Sequence, residues 1–282
     1  MTSDTHSRTH AFSHFLPILT YHGLVQDGVR PDGHYTLSVS QLESHLEHLA
    51  RRHFRVVSLE EVIKWLSGEM LPEKSVSLTF DDGLESDYSL TLPILKRHGF
   101  SATFFVNPAQ LGKEGYLTAE TLRELNREGM AIGSHGSGHV FLTRLSTSEL
   151  EKEVAGSKAE LESLLQREVS FFSVPRGRYN RRTLEAIRQS GYRAACTSDI
   201  GMNSRRTDPF CLRRWAMKGH YSISDFISVV EGHPRGRLVF EHSFKQAAYR
   251  LLGHTFYEVL RDKFVVRRTE CRLLNDCYKP KG

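Results

Sequence analysis

The chain has no run of 18 or more consecutive apolar residues, so no segment is long enough to span a bilayer as a helix. Met1 to His14 is polar and lacks the apolar stretch of a secretory leader, which makes a cytoplasmic location the expectation. Cysteine is scarce. Cys196, Cys211, Cys271 and Cys277 never fall in a C-x-x-C spacing, which argues against a thiolate zinc cluster or a redox pair and for reduced thiols. No Pro/Gly/Ser-rich linker divides the 282 residues, so one domain is expected although the length would allow two. Excess charge is also missing from the body: residues 261–282 hold seven Lys or Arg against three acids and carry +4 of the formal +5. A near-neutral body excludes the broad basic footprint of a nucleic-acid-binding protein. The expected organisation is a flexible polar N-terminus (1–14), a folded domain (15–260) and a basic tail (261–282). That tail reads as a solvated terminus or as a contact for phosphate groups or the inner membrane face.

What is present is an alternation of short apolar runs and helical patterns. Runs at Leu16–Tyr21, Phe54–Val57, Val76–Phe80, Ala102–Val106, Met130–Gly133, Val169–Val174, Tyr192–Thr197 and Leu238–Phe240 read as strands. Between them lie helices with capping-box spacing at Ser40/Glu43, Ser58/Glu61 and Ser146/Glu149. Eight strands separated by helices predict an α/β fold with a parallel sheet, either an open doubly wound sheet or a single (β/α) barrel. The polar residues favour the barrel. His22, Asp81 and Asp82, His135, Arg176, Asp199 and His242 each lie at or just past the C-terminal end of a different run, and a barrel brings those ends to one face.

Two segments carry chemistry. Asp81-Asp82-Gly83 follows an apolar run directly; adjacent carboxylates there suit acid–base or metal work, although Asp-Asp-Gly is also ordinary turn chemistry. In Gly133-Ser134-His135-Gly136-Ser137-Gly138-His139 two imidazoles stand four apart in a glycine-rich stretch. Two histidines and a carboxylate make the three-ligand set of an open catalytic metal site.

Thr79-Phe80-Asp81-Asp82-Gly83 together with His135-x-x-x-His139 resembles the first two motifs of the polysaccharide deacetylases, carbohydrate esterase family 4, which share the chitooligosaccharide-deacetylase homology domain. Pro17 to His22, Leu92 to Leu95, Gly99 to Val106 and Leu142 to Ser146 extend the similarity. The resemblance implies an irregular (β/α) barrel and hydrolysis of an N-acetyl group on an amino sugar in a glycan, an oligosaccharide or a lipid-linked precursor. It implies one divalent metal, zinc first and Co2+, Ni2+ or Mn2+ as alternatives, held by Asp82, His135 and His139. Asp81 would be the general base, His242 the acid that protonates the departing amine, and the backbone N–H of Arg176 the oxyanion donor, with Asp199 orienting His242.

The sequence departs from the family pattern at Val174, where many members carry an arginine that pairs with the base. Arg213 or Arg214 is the candidate replacement. Arg176 stands where a tyrosine is usual, and with Arg178 it suggests either an acidic or phosphate-bearing substrate or a pairing of Arg176 with Asp81. His22 and Trp215 are further candidates for substrate contact, Trp215 only if it lines the cleft. Competing readings are an amidohydrolase of the same scaffold acting on a non-sugar amide, and a glycan-binding module without turnover.

Overall fold

A computed structural model describes residues 14–30 and 33–241. The chain divides into two units at Pro234/Arg235. In the first, strands β1 (Ile18–Tyr21), β2 (Leu24–Val25), β3 (Leu37–Ser38), β4 (Arg55–Val56), β5 (Ser75–Asp82), β6 (Thr103–Val106), β7 (Ala131–Ser134), β8 (Phe171–Ser173), β9 (Ala194–Cys196) and β10 (Trp215–Ala216) are interleaved with helices. The main sheet runs β10-β1-β5-β6-β7-β8-β9, with β4 on the first residues of β5, and all of its pairings are parallel. β2 and β3 form a separate parallel pair.

The strands are buried on both faces, as a parallel sheet covered by helices requires: β5 is buried from Ser75 through Asp81, and β1 and β6 throughout. Apolar stripes on the covering helices supply the outer wall. In α1 (Val39–Arg51) the buried positions are Leu42, His45, Leu46 and Leu49, and in α2 (Leu59–Leu66) Leu59, Val62 and Trp65. Ser58/Glu61 and Ser146/Glu149 form the expected capping boxes. The first helix is capped two residues earlier than expected, by Ser38 with Gln41. Gly133 in β7 is dictated by contact, since a Cβ there would stand 2.5 Å from the Phe105 ring.

The sheet curls, and one short segment spans its two edges. Leu212 bridges Cys196 of β9, with Thr197 N–H on the Leu212 carbonyl at 2.8 Å, and three residues later β10 pairs with β1 through Leu19–Trp215 and Thr20–Ala216. Among the described residues this two-residue strand is the last of the sheet. The expected eighth strand, Leu238–Phe240, is helical instead: in the second unit, residues 236–241 form a helix. A three-residue apolar run fits either period, and its length cannot arbitrate. His242, the N-terminal residues 1–13 and the basic tail lie outside the described residues.

Candidate active site

The site is built at the C-terminal ends of β1, β5, β7, β8 and β9, with one residue from the segment that spans the sheet edges. In an extended strand adjacent side chains point to opposite faces. Asp82 breaks that alternation with φ 84, followed by Gly83 at φ 67, and both carboxylates of β5 come to His135: its Nε2 lies 3.5 Å from Asp82 Oδ1 and 4.0 Å from Asp81 Oδ2. Nδ1 of His135 is 2.8 Å from the carbonyl of Ser173. A carbonyl can only accept, so Nδ1 carries the hydrogen and Nε2 is the atom turned toward the aspartates. Burial lowers the pKa of the ring, but Asp81 and Asp82 outweigh burial and raise it.

His139 adopts a left-handed backbone, φ 56, which costs a non-glycine residue on the order of 1–3 kcal/mol. In that conformation its Nε2 lies 3.4 Å from Asp82 Oδ1. One ligand atom from each of Asp82, His135 and His139 falls within 4.8 Å of the others, as a metal set requires. Asp82 Oδ1, buried and faced by both imidazoles, has no hydrogen-bond partner. An orphaned carboxylate oxygen between two ring nitrogens, in a two-His, one-carboxylate set, fits a divalent cation. Burial lowers the His139 pKa to about 4, with His135 adding to the effect, so the ring is neutral and free to ligate near neutral pH.

Asp81 is almost fully buried, and Arg214, equally buried, faces it. Guanidinium Nη1 and Nη2 donate to Oδ1 and Oδ2, each at 2.8 Å. The remaining donors are also used: Nη2 to Ser173 Oγ, Nη1 to Thr79 Oγ1 and Nε to the Thr197 carbonyl. Ser173 Oγ in turn donates to Asp81 Oδ2 at 3.1 Å. Burial alone would raise the Asp81 pKa; Arg214, then His135, outweigh it and hold the group below the ordinary carboxylate range. Of the two arginines considered for the missing motif charge, Arg214 therefore supplies it. Arg213 is exposed on the outside.

Arg176 does not pair with Asp81. It is exposed at the rim, its Nε donating to the His139 carbonyl at 3.2 Å and its guanidinium lying 4.6 Å from the Phe141 ring centre, and it makes no ion pair among the described residues. Its backbone is left-handed, φ 58. Arg178 follows, half-buried. Asp199 accepts a 2.5 Å hydrogen bond from Tyr179 Oη, a residue sequence reasoning did not single out. Trp215 is only 3% exposed within β10, which rules out a sugar-stacking platform. His22 closes the arrangement. It lies at the end of β1, its ring 4.9 Å from that of Tyr35, and its buried Nδ1 has no hydrogen-bond partner. Burial lowers its pKa, while the charges of Asp82 and Asp81 pull the other way.

A curled parallel sheet with an Asp-Asp/His-x-x-x-His cluster at its strand ends defines a class of metal-type hydrolases, and known proteins narrow it. The sequence profile of the polysaccharide deacetylase family matches residues 68–195. YxkH of Bacillus subtilis (strain 168), named for the same family, is 30% identical over 217 residues, 77% of this chain and 76% of its own. The peptidoglycan-N-acetylglucosamine deacetylase of Bacillus cereus is 29% identical over 171 residues, 60% of this chain and 73% of its own. Among solved structures, the Streptococcus pyogenes deacetylase PplD in complex with acetate superposes with TM-score 0.72 at 25% identity, covering 78% of this chain and 99% of that one. IcaB from Ammonifex degensii gives 0.68 at 25%, covering 80% and 100%. The chain belongs to the polysaccharide deacetylase family and is a hydrolase of the deacetylase kind. Among the described residues, no helix is long and apolar enough to cross a membrane.

Proposed function

We propose that this protein removes the N-acetyl group from an N-acetylated amino sugar of a glycan by metal-dependent hydrolysis. The observation that carries the reading is the orphaned Asp82 Oδ1 between His135 and His139, beside a second carboxylate held ionised by Arg214. Relatives named for action on peptidoglycan and on poly-β-1,6-N-acetyl-D-glucosamine support the substrate class. Asp82, His135 and His139 would hold the metal, zinc best suiting this nitrogen and oxygen donor set, with Co2+, Ni2+ and Mn2+ as alternatives. When bound, a divalent cation polarises the amide carbonyl and lowers the pKa of water from about 15.7 toward about 7.

Asp81 accepts the proton of the water that attacks the carbonyl carbon, and Arg214 keeps that carboxylate oriented and ionised beforehand. The oxyanion faces the backbone N–H of Arg176. Cleavage of the C–N bond needs a proton on the amine; the resemblance gives its delivery to His242, which lies outside the described residues, and His22, at the end of β1 beside β5, is the second imidazole we propose for it. Tyr179 donates to Asp199, the residue proposed to orient His242. Acetate release from N-acetylated glycans and oligosaccharides, before and after chelation and re-addition of Zn2+, Co2+, Ni2+ or Mn2+, tests the reading. Undiminished release by a verified metal-free preparation would sink it.

A carboxylate- or phosphate-bearing substrate is a finer reading, supported by the rim position of Arg176 and its lack of an ion pair among the described residues. Arg176→Met should raise KM for acidic amino sugars and leave kcat and neutral substrates unchanged, the pattern of lost uniform binding. Equal losses on both kinds of substrate would refute it. The composition of residues 261–282 supports contact with an anionic lipid surface, which salt-sensitive binding to anionic but not neutral vesicles would reveal.

A further inference from the structure

The loop between the two metal-type histidines rests on a side chain remote in sequence and unmatched by any motif. Residues 147–165 form one helical run, α5 (Thr147–Glu151), a π-helical turn at Lys152–Gly156 and α6 (Ser157–Leu165). Wide turns of this kind recur at functional sites. Here the turn presents Glu153, whose Oε2 accepts the backbone N–H groups of Ser137 and Gly138 at 2.9 and 3.0 Å. Those are two of the three residues between His135 and His139. The glycines beside them make room for the carboxylate: a Cβ at Gly136 would stand 3.2 Å from Oε2, and one at Gly138 3.3 Å from Oε1. Ser157, on the same helical run, holds the strand end below, its Oγ 2.8 Å from Ser134 Oγ, which accepts Gly136 N–H.

His139 follows directly, in a left-handed conformation that an isolated loop would relax away from. We infer that Glu153 is a positioning residue of the metal site: its carboxylate, accepting hydrogen bonds from two backbone N–H groups, locks the 136–138 loop in the conformation that sets His139 beside Asp82 before any metal arrives. Charge-assisted hydrogen bonds are about twice as strong as neutral ones, and outer partners of ligands are typically worth about 10- to 100-fold in metal affinity.

The inference rests on the metal-dependent reading above, and the test separates the two. Zinc affinity of the purified full chain is measured by competition with a chromophoric chelator, alongside the visible spectrum of the Co2+-loaded protein. Glu153→Ala should raise the zinc Kd by about 10- to 100-fold and alter the cobalt spectrum, with far-UV circular dichroism and the apo-protein Tm close to wild type. Glu153→Gln, which keeps an acceptor oxygen, should recover part of the loss. A wild-type protein that binds no zinc defeats the metal reading itself. A wild-type protein that binds zinc while folded Glu153→Ala binds it equally well overturns the role of Glu153, as does a loss fully matched by a fall in apo-protein Tm. Should Glu153→Ala fail to fold, Gly138→Ala decides, because its Cβ crowds the same carboxylate; an unchanged zinc Kd there overturns the inference.

Discussion

Arg214 lays two guanidinium nitrogens on the two carboxylate oxygens of Asp81, each at 2.8 Å, although 133 residues separate them. Both side chains are buried to within a few per cent, so neither charge has water to fall back on. Removing one partner of such a pair leaves the other uncompensated, typically at about 3–5 kcal/mol. Arg214→Met should lower stability by that order in urea denaturation and reduce kcat on every substrate. Adding Asp81→Asn to it should recover much of the stability and none of the activity. A fully stable Arg214→Met single variant contradicts the pairing.

The two aspartates should separate by assay. Asp81→Asn is expected to keep the metal and lose turnover by about 10²- to 10⁴-fold, the usual worth of a general base. Asp82→Asn should weaken metal binding first, and excess metal should restore part of its rate. Metal content by atomic absorption, read beside acetate release, distinguishes the two roles.

His22 carries a parallel expectation. His22→Gln should cut kcat by about 10²- to 10⁴-fold with zinc affinity nearly unchanged, because the residue sits at the end of β1 beside β5 without belonging to the ligand set. Substrates with a more acidic leaving group, which need less help from an acid, should suffer less. Equal loss on both substrate types removes His22 from the acid role.

His45 predicts how the fold responds to acid. It lies on α1, its ring stacked 4.0 Å from Phe226 and its Nδ1 hydrogen-bonded to Tyr21 Oη, and burial, aided by His48, lowers its pKa to about 3. The unfolded chain takes up a proton near pH 6.5 while the folded one refuses it until about pH 3. Stability should therefore fall through that window, His45 contributing a slope of about 1.4 kcal/mol per pH unit. Urea denaturation between pH 7 and pH 4.5 measures it. His45→Gln, less stable at pH 7, should show a visibly shallower acid slope.

Much of the site was legible because its residues are local. Asp81-Asp82-Gly83 and His135-x-x-x-His139 sit in contiguous motifs at strand ends, and seven apolar runs became seven strands. What stayed hidden depends on long-range closure. β10 is two residues long and is preceded by two arginines, so it carries no periodicity of its own; its pairing with β1 defines it. The choice between Arg213 and Arg214 likewise needed the backbone direction in that strand. His22 read as an isolated strand-end histidine, because its relation to Asp81 and Asp82 exists only once β1 lies beside β5. Glu153 gave no signal, since its partners are backbone N–H groups, which leave no trace in side-chain pattern.

The segment 212–216, described above as spanning the two sheet edges, has a consequence for catalysis. It delivers the counter-charge of the base, so the seam of the barrel and the ionisation of Asp81 are one event. If that seam parts, a buried aspartate loses its cation and takes up a proton, and a protonated carboxyl cannot receive one from water. Activity should therefore fade with seam opening, ahead of the loss of helices and of the strands on the far side of the sheet.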